Sequence, residues 1–215
     1  MILSYPPIII VGFLLGIIIA ISVHEFAHAW IAYRLGDPTA RFSGRLTLNP
    51  LAHLDPLGTL LLLLAGFGWG KPVPINTFML RTRRNEAKVA LAGPLSNFLV
   101  ALIFAIPYRV AVANHLDPTQ GAFLSITNII TEINLVLLVF NLIPIPPLDG
   151  SRILHAITPL NWREAVETLE IAGPFLLLGV IFFEILTNIP ILQSIITPPI
   201  HGLLYLARSF PYGLW

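Results

Sequence analysis

An apolar run over residues 8–35 carries three ionisable side chains, His24, Glu25 and His28, and few other features limit a chain so strongly. About 28 residues of helix are ample to cross a ~30 Å hydrocarbon core with some tilt. Ionisable groups inside a membrane helix are costly and mark functional sites. Here they stand as His24-Glu25-Phe26-Ala27-His28, the pattern HExxH. Residues four apart share a helix face one turn apart, so both imidazoles can point at one metal ion. Glu25 lies beside that face, within reach of a metal-held water. A zinc hydrolase needs such a set: neutral nitrogen ligands, an open coordination position and a nearby base. The plainer alternative is two helix histidines and a snorkelling glutamate.

The rest of the composition agrees with a membrane setting. The 215 residues are 56% hydrophobic and 11% charged, against about 25% charged in soluble domains. A net charge of +1 carries no nucleic-acid signal, and the absence of cysteine excludes disulfides and thiolate metal sites. The start of the chain lacks a basic region and its first apolar run holds the HExxH, so that run reads as a retained span rather than a cleaved signal.

The fold class expected is an all-α polytopic membrane protein, with about five to six transmembrane helices and a short re-entrant or β-hairpin region after the first. It reads as one membrane-embedded domain over residues 1–215. Core spans are expected over 8–35, 89–112 and 122–143, with additional C-terminal spans over 165–186 and 190–207, the last weakened by Pro198-Pro199. Residues 42–48 alternate and predict a short strand. Residues 57–67 are apolar but too few to cross a bilayer and fit a re-entrant segment. Lys71-Pro72-Val73-Pro74-Ile75-Asn76 is extended and proline-locked. Irregular backbone at membrane depth must be covered by protein or line a wet cavity, so residues 42–76 are expected beside the metal site.

Arg34, Arg41, Arg45, Lys71, Arg81, Arg83, Arg84 and Lys88 all fall between spans one and two. If 57–67 re-enters, they share one side with Arg152, Arg163 and Arg208, and only Arg109 lies opposite. The positive-inside rule then places the N-terminus outside and this loop in the cytoplasm. His24 lies past the midpoint of its span, toward that cytoplasmic face.

A catalytic zinc site usually has a third protein ligand. Asp149 is the best candidate, closing the third span on the side toward which the histidines are displaced. Pro-Leu-Asp-Gly is also good turn chemistry, and spacing alone does not choose between ligand and turn.

The chain resembles the site-2 protease family of intramembrane zinc metalloproteases, in its compact branch lacking a PDZ domain. The resemblance rests on His24-Glu25-Phe26-Ala27-His28, on Ala92-Gly93-Pro94-Leu95-Ser96-Asn97, and on Asn141-Leu142-Ile143-Pro144-Ile145-Pro146-Pro147-Leu148-Asp149-Gly150. Gly44-Arg45-Leu46-Thr47-Leu48-Asn49-Pro50 and Lys71-Pro72-Val73-Pro74 look like the compact branch. The resemblance implies that His24, His28 and Asp149 bind Zn²⁺, that Glu25 activates the water, and that Asn141 helps position substrate. It implies a substrate that is a transmembrane helix of another protein, cleaved within the lipid bilayer, and a home in a prokaryotic cell membrane. A substrate-contacting role also comes into question for His53, set against a turn histidine bonded to Asp55 or to backbone. Two other readings are a membrane zincin resembling prenyl-protein peptidases, with Glu170 as third ligand, and a transporter that merely holds a metal.

Overall fold

The computed structural model describes residues 5–65, 68–118 and 120–209. Four of its helices are long and apolar enough to cross a membrane. The first is α1, Pro7–Arg34, which opens on a proline where the missing N–H costs nothing. Its buried residues include Gly12, Gly16, Ala20, His24, His28 and Ala32, one row at a spacing of four. Small side chains along such a row let a neighbouring backbone approach closely. A methyl group at Gly12 would lie 2.8 Å from Ile129 Cδ1, and one at Gly16 would lie 2.5 Å from Ile133 Cδ1. Both isoleucines belong to α7, Ala122–Asn141. The row that docks α7 is therefore the row that carries the histidines.

Between these helices come α2, Thr39–Phe42, α3, Pro56–Ala65, and α4, Thr77–Leu80. The second long helix is α5, Arg83–Phe104, capped by Thr82, whose hydroxyl accepts from the Asn85 N–H. It passes through Ala105 into α6, Ile106–Ala113, where Pro107 removes a helix donor at the junction. Beyond α7 lie α8, Asp149–Ile157, α9, Arg163–Thr187, and α10, Ile191–Ser209. Helices α1, α5 and α7 pack mutually as the centre of the bundle; α8 docks on α5 and α9, and α10 on α7, α6 and α9.

Three expectations change. The strand over 42–48 is absent: Phe42 ends α2, and Gly44 sits at φ +67°, which breaks an extended run. Among the described residues the β-hairpin reduces to one isolated bridge, Leu54 with Gly70. Among the described residues four helices, not five, are long and apolar enough to cross, and α10 is not one of them. The short segment is helical as far as Ala65, and the end of the expected 57–67 stretch lies outside the described residues. Finally, Arg208 does not join the loop cations. Its guanidinium bonds Glu132, midway along α7, at 2.7 Å, and lies over the Tyr108 ring. Arg109 donates to the Ala207 carbonyl. Helix α10, running against α7, brings Ala207 to Arg109 and Arg208 to Glu132.

Candidate metal centre

His24 and His28 lie one turn apart on the buried row of α1, and their Nε2 atoms are 2.9 Å apart. Asp149 Oδ2 lies 3.1 Å from each of them. Asp149 is the first residue of α8, where the helix dipole favours an anion. The helix start is drawn in by Gly150, where a Cβ would lie 2.3 Å from the Leu142 carbonyl oxygen and 2.4 Å from that of Ile143. No larger residue lets α8 begin so close to the end of α7. Burial opposes ionisation of Asp149, but its hydrogen bonds with His24 and His28 and their charge outweigh burial and hold its carboxyl well below the usual range.

The three side chains fit a metal ion by their chemistry. His28 Nδ1 is 2.7 Å from the Val89 carbonyl oxygen, which can only accept. The proton therefore sits on Nδ1, and Nε2 presents a lone pair to the other two ligand atoms. His24 Nδ1 is likewise engaged, 2.6 Å from Asn97 Oδ1. One ligand atom from each of the three residues comes together within 4.8 Å, the donor set of a hydrolytic zinc site. Gly93 of α5 completes the cradle: a Cβ there would stand 2.3 Å from His28 Nε2 and 2.6 Å from His24 Nε2.

Glu25 lies beside this group. Its Oε2 accepts from the Val73 N–H at 2.9 Å, so the extended stretch at 71–76 does run past the site. That stretch is held from several directions. The Lys71 N–H donates to the His53 carbonyl, Arg45 donates to the carbonyls of Lys71 and Pro72, and Asn76 N–H donates to the buried Asp37 carboxylate at 2.7 Å.

Two cavities meet at Glu25. A cavity of about 140 Å³ contains His24, Glu25, His28 and Asp149, with Val73, Asn141 and Arg152 in its wall. A larger, apolar one of about 540 Å³ runs between α1, α3 and α7, walled by Leu14, Ile17, Leu62 and Leu137 among others. His24, Glu25 and Asn141 border both. Asn141 turns its amide N–H to the Leu137 carbonyl one turn back.

His53 lines neither cavity. It is fully buried in the loop, with Nε2 2.8 Å from the Thr47 carbonyl oxygen. Its imidazole makes a local backbone bond, to Thr47 rather than to Asp55. Glu170 lies 3.9 Å from His155 and is not part of the ligand group, so it offers no third ligand to the histidines. Sequence reasoning used Asn97 only as part of a motif that carries the resemblance, and gave no role at the site to Asn134, Asp37 or Arg45. Asn97 could have been found: it stands four residues after Gly93, on the same face of α5, and an amide in a membrane span needs a partner.

Comparison with known proteins agrees with this geometry. The family model for peptidase family M50 matches residues 12–114 and 109–181. The chain is 40% identical over 187 residues to YwhC of Bacillus subtilis, a candidate zinc metalloprotease by name, covering 84% of each. It is 35% identical over 154 residues to Rip2 of Mycolicibacterium smegmatis, named likewise, covering 69% of this chain and 57% of that one. It is 30% identical over 179 residues to MJ0611 of Methanocaldococcus jannaschii, also so named, covering 80% and 84%. No solved structure matches.

Proposed function

This chain belongs to peptidase family M50, the site-2 protease family, and is a zinc metalloprotease of the membrane; from that premise we propose that it cleaves transmembrane segments of other membrane proteins, as in regulated intramembrane proteolysis. The observation that carries this reading is the meeting of two unlike cavities at one carboxylate. The apolar crevice between α1, α3 and α7 suits a lipid-embedded segment, the smaller cavity with Asp149 and Arg152 suits water, and Glu25 borders both.

In this reading His24, His28 and Asp149 hold the zinc. When bound, the metal supplies a Lewis acid that acidifies water and polarises a peptide carbonyl. Glu25 takes a proton from the attacking water and returns it to the leaving amine nitrogen. The Val73 N–H fixes one oxygen of that carboxylate, leaving the other to exchange the proton. Asn141, bordering both cavities, holds the substrate backbone where they join. A transmembrane helix shields its own peptide bonds, so the substrate unwinds before attack, and the extended stretch at 73–76 offers an edge for it. The loop cations put that stretch and the metal site toward the cytoplasm, with the N-terminus outside. Bacterial and archaeal relatives support a prokaryotic cell membrane.

The test is co-expression with candidate single-span substrates. Glu25→Gln is expected to abolish cleavage while zinc content stays at the wild-type level, because the base is removed and the ligands are spared. Measurable turnover by that variant would overturn the role given to Glu25.

A further inference from the structure

Two asparagines, both fully buried, link the three central helices inside the membrane, and no step of the proteolysis above uses them. Asn134 of α7 donates from Nδ2 to the Ile130 carbonyl at 2.8 Å. Its Oδ1 accepts from Asn97 Nδ2 of α5 at 3.0 Å, and that same Nδ2 donates to the Ala20 carbonyl of α1 at 3.1 Å. Asn97 Oδ1 then lies 2.6 Å from His24 Nδ1.

This chain of bonds has a fixed direction. A backbone carbonyl can only accept, so Ile130 sets which end of the Asn134 amide is NH₂. Asn134 Oδ1 and the Ala20 carbonyl are then two acceptors, and both demand the NH₂ end of Asn97. Turning the Asn97 amide over would set oxygen against oxygen at both contacts. Asn97 therefore offers His24 an oxygen, Nδ1 carries the proton, and Nε2 is left with its lone pair facing His28 and Asp149. His28 obtains the same tautomer from the Val89 backbone, which no side-chain change can remove.

We propose that Asn97 and Asn134 are positioning residues that hold His24 in its Nδ1–H form, ready to bind metal through Nε2. Asn134 acts at one remove, through Asn97, and touches no ligand. The inference rests on His24 being a zinc ligand as proposed above, and the experiment separates the two. The full-length protein, labelled with ¹⁵N-histidine and purified in detergent, is stripped of metal for ¹⁵N spectra and titrated with zinc under chelator competition. His24→Gln identifies the His24 signals and checks the ligand.

The wild type is expected to show the proton of His24 on Nδ1. Asn97→Leu and Asn134→Leu should each give a mixed or Nε2–H signal and weaken zinc binding by roughly 10- to 100-fold. Asn134→Asp keeps an acceptor for Asn97 and, as the neutral acid, a donor for Ile130, so it should stay within a few-fold of wild type. Thr131→Val is the packing control, since this buried hydroxyl bonds only the Thr127 carbonyl of its own helix, and it should leave affinity unchanged. Normal affinity and an Nδ1–H signal in Asn134→Leu would overturn the relay. So would a loss in Asn134→Asp or in Thr131→Val as large as that in Asn134→Leu. If the leucine variants do not fold, Asn134→Asp still decides. Undiminished zinc binding by His24→Gln would instead remove the ligand assignment itself.

Discussion

At Gly93 a single methyl group separates two physical effects of opposite sign. In a helix interior alanine is favoured over glycine by about 1 kcal/mol. Here the added carbon would stand 2.3 Å from the atom of His28 that faces the other ligands, closer than atoms pack. Gly93→Ala is thus expected to leave the protein folded while sharply reducing zinc binding and cleavage, checked by zinc content and thermal melting on one sample. Asp149→Ala removes the proposed third ligand and should lose most zinc affinity together with activity; full zinc occupancy with normal cleavage would pass the third-ligand role elsewhere. The histidine pair was legible because its spacing of four is a local property of helices. Asp149 could be named as a candidate but not told from a turn residue, because it stands 121 residues from His28 and joins it only through the packing of α8, which follows from a close approach at Gly150. Tautomers were out of reach for the same reason: they depend on partners 61 and 73 residues away.

Among the elements, the extended stretch at 71–76 shows why period alone misled. Residues 42–48 alternate, and a soluble sheet would bury the apolar set. In the structure Phe42 is 84% exposed, whereas Arg45, of the polar set, is 8% exposed. A membrane-associated surface tolerates the aromatic outside, and the carbonyls of Lys71 and Pro72 need a donor inside. Two prolines keep that stretch from pairing as a regular strand, so side chains hold it instead: Arg45 at one end and Asp37 at the other. Since Val73 holds Glu25, loosening the stretch should disturb the base without touching the metal. Arg45→Ala is expected to lower cleavage roughly tenfold or more, the scale on which misplacement of catalytic groups acts, with zinc stoichiometry unchanged. Equal loss of zinc would mean that the stretch supports the ligands rather than the base.

For the molecule as a whole, the long helices were legible in the sequence because length and apolarity are summed properties. The last helix was not, since its course is decided by two charges. Helix α9 is long and apolar enough to cross a membrane, and Glu184 accepts from the Leu192 N–H where the chain turns. Helix α10 sets Ile200, Leu203 and Leu204 beside Ala101, Leu135 and Leu138 before Arg208 meets Glu132 halfway along α7, so it runs with α5 and against α7. An arginine at that depth is supportable only with a partner. The absence of cysteine makes the course of the chain testable by single-cysteine labelling with a membrane-impermeant reagent. Arg45→Cys and Arg83→Cys should label from the same face, since α3 is too short to separate them. Asn114→Cys, beyond the end of α6, should label from the opposite face. Labelling of Arg45→Cys and Arg83→Cys from opposite faces would mean that α3 and its flanks carry the chain across.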